Sequence, residues 1–124
     1  MSRPRIGILV VAYNAVSTLG DTLDRIPEEF WPSIVDGGVY LVEDLHTSYW
    51  TRYGGGFKRP GTFIEYAKNL VDQQNAWHSR DAESFTVDDY TRTIRGMHVY
   101  DSVIVFDKAA VPQPTRSRTG TPSW

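Results

Sequence analysis

Gly37-Gly38-Val39-Tyr40-Leu41-Val42-Glu43-Asp44-Leu45-His46 is the stretch on which the architecture turns. Asp36 and the glycine pair make a turn, and the four apolar residues behind them read as a short strand. The run stops at two carboxylates, which therefore lie at the carboxyl end of a strand, where open α/β folds place their ligands. Upstream, Ile6-Gly7-Ile8-Leu9-Val10-Val11 is continuously apolar rather than alternating, as in a strand covered on both faces. Val16, Leu19, Leu23 and Ile26 follow at helical spacing, and Pro27 and Pro32 end that helix. Strand, helix and strand in this order predict a parallel pairing.

Downstream, residues 47–61 are rich in aromatics and glycine and read as a mobile loop. Thr62 and Glu65 have capping-box spacing, and Phe63, Tyr66, Ala67 and Leu70 form the apolar stripe of a helix reaching about Trp77. Residues 79–91 are polar and irregular. Two strand-like runs, Ile94 to Tyr100 and Val103 to Phe106, flank Asp101-Ser102 and predict a tight antiparallel hairpin. Residues 112–124 have almost no apolar content and read as a disordered tail. The expected fold is α/β: a small Rossmann-like, doubly wound sheet, mainly parallel, with a C-terminal antiparallel hairpin. Residues 1–111 make its single domain.

Composition narrows the functions. A chain of 124 residues has room for one core. Without cysteine there is no disulfide, thiolate metal site or cysteine nucleophile. A net charge of -2 provides no field for nucleic acid or an anionic membrane, so neither is expected as a partner. The apolar run at Ile6 is far shorter than the roughly 20 residues of a membrane helix. It lacks a signal-peptide cleavage pattern, and a cytoplasmic location is expected.

Glu43 and Asp44 are the sharpest chemical signal. Neighbours on a regular strand point to opposite faces, so both can reach one ion only if the backbone leaves strand geometry at this pair. Ligation by oxygen alone selects a hard cation such as magnesium or calcium; the competing reading is a solvated strand end. His46 is a candidate substrate contact, base or ligand. Tyr49, Trp50 and Tyr53 can wall a pocket for a sugar or flat ring, or pack on their own domain. Gly56 and Gly61 have P-loop spacing, but Thr62 stands where the lysine belongs, so a nucleoside-triphosphate loop is rejected. No G-x-G-x-x-G follows the first strand. Lys58 and Arg59 form a small basic spot, and His78 and His98 read as structural.

Two resemblances cover different parts of the chain. Residues 1–34, through Ile6 to Ala15 with Thr18-Leu19 and Thr22-Leu23, resemble the opening strand and helix of family 2 glycosyltransferases. That likeness implies nucleotide contacts from Ala12, Tyr13 and Asn14. The aspartate pair, Asp-x-Asp motif and base of that family do not follow.

Residues from about Phe30 to Ala109 resemble the C-terminal half of class I S-adenosylmethionine-dependent methyltransferases, of the type that O-methylates macrolide sugars. The likeness is carried by Gly37 to Trp50 and by Tyr100-Asp101-Ser102-Val103-Ile104-Val105-Phe106. It implies that Glu43 and Asp44 hold Mg2+, that S-adenosylmethionine is the methyl donor, and that a sugar or natural-product hydroxyl is the small-molecule acceptor. The family's cofactor loop, ribose-binding acid and Asp-x-x-His element have no counterpart, so no residue is assigned to S-adenosylmethionine and no catalytic base is assigned.

The expected function is thus a metal-assisted O-methyltransferase present as a truncated or fused part, with little activity alone. The alternatives are a glycosyltransferase-type nucleotide-sugar binder and a non-catalytic module that self-associates. An open sheet also admits a homo-oligomer or a complementing polypeptide.

Overall fold

The computed structural model describes residues 30–121. A 3-10 turn at Trp31–Ser33 leads into strand β1, Val39–Val42. Two further 3-10 turns, Leu45–Tyr49 and Thr51–Tyr53, precede helix α1, Phe63–Gln74. A turn at Ala76–His78 and a short helix α2, Asp89–Thr93, lead to strands β2, Ile94–Tyr100, and β3, Val103–Lys108. The expected strand at Ile6–Val11, the helix after it and the Ala12-Tyr13-Asn14 corner lie outside the described residues.

The three strands form one sheet in the order β1-β3-β2, with both pairings antiparallel. The hairpin forms as expected: Tyr100 faces Val103 across Asp101-Ser102, and the ladder runs on to Ile94 opposite Lys108. A bulge lies between Ile94 and Gly96. A mainly parallel sheet is not what these residues build. The connection from β1 to β2 is long enough for a crossover and delivers the two strands in the same direction. It leaves a gap, however, into which the hairpin folds β3, bonding Val42 to Ile104 and Val39 to Asp107 on its other side.

Burial follows the pleat. Tyr40, Ile104 and Phe106 point into the core with Ile94, Leu45, Trp31 and the α1 residues Phe63, Ala67 and Leu70. Phe106 is the hub: its ring lies 6.4 Å from Trp31, 5.8 Å from Tyr40 and 6.5 Å from Phe63. On the opposite face Val39 and Leu41 are 47% and 43% exposed. Among the described residues, the expected double layer of helices is therefore present on one face only.

Helix α1 starts as its sequence predicts. Thr62 Oγ1 accepts the Glu65 amide at 3.4 Å and donates to Arg59 O at 3.0 Å. The Glu65 side chain turns instead to Lys68, with Oε1 2.6 Å from Nζ, so only half of the capping box closes. Helix α2 falls in the segment read as irregular. Its reciprocal cap joins Asp88 Oδ1 to the Thr91 amide at 2.9 Å and Thr91 Oγ1 to the Asp88 amide at 3.2 Å. The signal was an Asp-x-x-Thr pattern, which is masked by the polar residues around it.

Thr91 is 0% exposed, and its hydroxyl also donates to Gln73 O at 2.8 Å, tying α2 to the end of α1. Thr91→Val keeps the shape but strips these groups of their partner in a dry site. It is expected to cost about 1–3 kcal/mol. A lowered urea midpoint with an unchanged slope checks this; an unchanged midpoint refutes it.

From Ala109 to residue 121 the chain has no helix or strand. Its beginning is held by Val111, whose amide donates to Arg92 O at 2.7 Å and whose carbonyl accepts Trp77 Nε1 at 3.1 Å. No helix among the described residues is long and apolar enough to cross a membrane.

Candidate functional site

The site grows out of the last residue of β1. Val42 is paired with Ile104, and Glu43 and Asp44 follow immediately. Asp44 adopts φ 59 and ψ 30, the left-handed region, so the backbone leaves strand geometry at the acidic pair. This conformation costs roughly 1–2 kcal/mol for a residue with a Cβ, and aspartate is among the few that tolerate it. The alternation that would send two adjacent side chains to opposite faces is broken at this point.

Several contacts hold the turn in place. Leu45, 4% exposed, plugs into the core directly after Asp44. Asp44 O accepts the Thr47 amide at 3.1 Å and the Thr47 hydroxyl at 2.7 Å. The turn of the β2–β3 hairpin reaches across: Ser102 O accepts the Leu45 amide at 3.0 Å and Ser102 Oγ accepts the His46 amide at 3.2 Å. Ser102 Oγ also lies 2.5 Å from His46 Nδ1. Ser102 itself has φ 62, so two left-handed residues meet at this end of the sheet.

Glu43 and Asp44 are both exposed, and neither carboxylate has a hydrogen bond or ion pair among the described residues. No group of three or more His, Asp or Glu among the described residues is placed to hold a metal ion. Two carboxylates alone leave most of a hard cation's shell to water or substrate oxygens, an arrangement that Mg2+ accepts. His46 is half-buried beside the pair, with its ring 4.8 Å from Trp50 and edge-on to it. Trp50 stacks at 6.1 Å on Tyr53, which Arg52 covers at 4.7 Å. Trp50 remains 46% exposed, leaving an aromatic surface next to the acids.

The segment read as a mobile loop is a succession of 3-10 turns closed on itself. Gly55 N donates to Trp50 O at 3.0 Å and Gly56 N to Ser48 O at 2.9 Å. A Cβ at position 55 would collide with the Ser48 carbonyl, so this glycine is required for close packing rather than for a phosphate. Arg59 turns inward to Gly55 O at 3.5 Å, and Lys58 lies over Phe57.

His98, read as structural, has a partner across the hairpin: its Nε2 is 2.7 Å from Asp107 Oδ2. The two are nine positions apart, and the hairpin register, with His98 opposite Val105 and Gly96 opposite Asp107, makes them diagonal neighbours. The residue that sequence reasoning missed at the site is Ser102, which looked like a turn residue only. Nothing near it in sequence indicates that its hydroxyl meets His46, 56 positions away.

Two clefts among the described residues lie away from the acids. A gap of about 10 Å³ lies in the core beside Phe106, and an open cleft of about 330 Å³ lies beside Trp77 and Phe85. Neither is lined by a glycine-bearing loop.

No protein-family model matches the chain. Among curated proteins, L-olivosyl-oleandolide 3-O-methyltransferase of Streptomyces antibioticus is 33% identical over 85 residues, 65% of this chain and 22% of that protein. Demethylmacrocin O-methyltransferase of Streptomyces fradiae is 30% identical over 98 residues, 76% of this chain and 23% of that protein. A solved structure of the MycE methyltransferase from the mycinamycin biosynthetic pathway, in complex with Mg and SAH, superposes with a TM-score of 0.65 at 26% identity. It covers 76% of this chain and 25% of that one. The complex of the same enzyme with Mg, SAH and mycinamycin VI gives a TM-score of 0.62 at 27% identity, covering 87% of this chain and 26% of that one.

The homologues are thus macrolide-sugar O-methyltransferases, and they match the C-terminal part of the chain. The chain spans less than a quarter of the length of these curated relatives, 22% and 23%.

Proposed function

We propose that this chain is the metal-bearing, acceptor-side part of an S-adenosylmethionine-dependent O-methyltransferase whose acceptor is a hydroxyl of a sugar or a related natural product. One observation carries the reading: Asp44 turns out of β1 into the left-handed region, freeing two adjacent, unpaired carboxylates from strand alternation. The names of the relatives support the reaction class, and the Mg in the neighbouring structures supports the ion.

Glu43 and Asp44 hold Mg2+ in this reading. When bound, the ion supplies Lewis acidity and a template for neighbouring acceptor hydroxyls, and S-adenosylmethionine supplies the methyl group. The chain's own residues do the rest of the acceptor-side work. His46 contacts the acceptor from its place beside the acids, while Trp50 and Tyr53 offer a face for the apolar side of a sugar ring. No described residue is assigned to the donor, and little or no methyl transfer is expected from these 124 residues alone.

Calorimetric titration of the full chain with MgCl2 tests the reading. Uptake at millimolar ion is expected, and its absence refutes the metal assignment. In parallel, radiolabelled S-adenosylmethionine and a macrolide acceptor should give transfer near background. Robust turnover by the isolated chain would overturn the expectation of little activity.

A further inference from the structure

We propose that Ser102 is a positioning residue for the Glu43–Asp44 pair, acting from the β2–β3 hairpin through its hydroxyl on His46. The inference rests on the metal reading above and adds a residue to it.

The argument starts from strain. Asp44 at φ 59 is held against its own backbone preference. If the turn relaxed to an extended strand, the two carboxylates would separate to opposite faces and could not share an ion. Something must therefore fix the residues that follow Asp44. Leu45 is fixed by burial and by its bond to Ser102 O, 3.0 Å long. His46 packs its ring on Trp50, and its hydrogen bonds across to the hairpin both go to Ser102 Oγ, which meets its amide at 3.2 Å and its Nδ1 at 2.5 Å. A hydroxyl has one donor and two acceptor sites, enough to serve both groups at once.

The clamp is available only because Val42 pairs with Ile104, which sets the hairpin turn beside the end of β1. Ser102 is itself at φ 62, a conformation that suits glycine better than serine. A serine at that backbone angle points to a use for its hydroxyl rather than to the turn.

That last point supplies a clean variant. In Ser102→Gly the backbone is relieved, the carbonyl bond to Leu45 stays, and only the hydroxyl is lost. The expected result is a melting temperature at or above that of the parent chain with Mg2+ affinity weakened about tenfold, the low end for loss of a group supporting metal ligands. The His46 Nδ1 resonance in 15N NMR at fixed pH should also move, reporting loss of the hydroxyl contact, while an undiminished melting temperature beside weakened Mg2+ affinity separates positioning from a purely structural role. Ser102→Asn also tolerates this backbone region and keeps a polar side chain, so its affinity should lie between the two.

Parent-like affinity in Ser102→Gly, or Ser102→Asn no better than Ser102→Gly, overturns the role of the hydroxyl. If the parent chain takes up Mg2+ while Ser102→Gly binds it equally well, this inference fails and the metal reading stands. If the parent chain takes up none, both fall.

Discussion

Phe106→Ala is expected to abolish a cooperative unfolding transition, or to leave one at a small fraction of the parent's urea midpoint. Phe106 is 2% exposed and sits on the central strand, with rings of Trp31, Tyr40 and Phe63 around it. Each of those three comes from a different element, so one truncation loosens the chain's entry, the edge strand and helix α1 together. Loss of a buried Phe costs about 3–5 kcal/mol, because the cavity collapses only in part. Domains of this size hold about 5–15 kcal/mol in total. The truncation therefore removes a large share of the stability, and Phe106→Leu, which keeps most of the volume, should recover much of it. Circular dichroism in urea reads both variants. A midpoint for Phe106→Ala close to the parent's would show that the aromatic cluster is not the core.

Replacing the acids while keeping their shape should remove metal uptake without harming the fold. Glu43→Gln and Asp44→Asn each delete one charge, and asparagine is as comfortable as aspartate at the left-handed backbone of position 44. Any loss of binding then reports on charge, not on the turn. Each single change is expected to weaken Mg2+ binding by at least about tenfold, and the double change to abolish it in the millimolar range. Linkage gives a second readout. Mg2+ at ten times its dissociation constant should stabilise the parent chain by about 1.4 kcal/mol, a rise of several degrees in melting temperature for a domain this small. The double variant should show no such rise. Equal ion-dependent stabilisation in both chains would place the ion elsewhere.

Much of this site was legible because its signals are local. The four apolar residues of β1 end at a carboxylate pair within one window, and the condition for a shared ion followed from the pleat before any coordinates. Thr62 with Glu65 marked the start of α1, and Asp101-Ser102 marked the hairpin, because capping and tight turns are decided by residues three or four apart. Misses occurred where polar composition hid a local device, as with the Asp88–Thr91 cap. The glycine run at 54–56 misled in the same way: it reads as freedom, yet Gly55 is pressed against the carbonyl of Ser48.

By itself, then, the sequence determined where the three described strands, the hairpin turn and the α1 cap fall, and that two acids stand at the end of β1. Tertiary structure decided that β3 lies between β1 and β2 in an antiparallel sheet, that His98 meets Asp107, and that Ser102 reaches His46. The physical reason is range. Backbone propensity and capping act within a turn of chain, whereas strand order and cross-sheet contacts are chosen by which faces can be buried together, among residues dozens of positions apart.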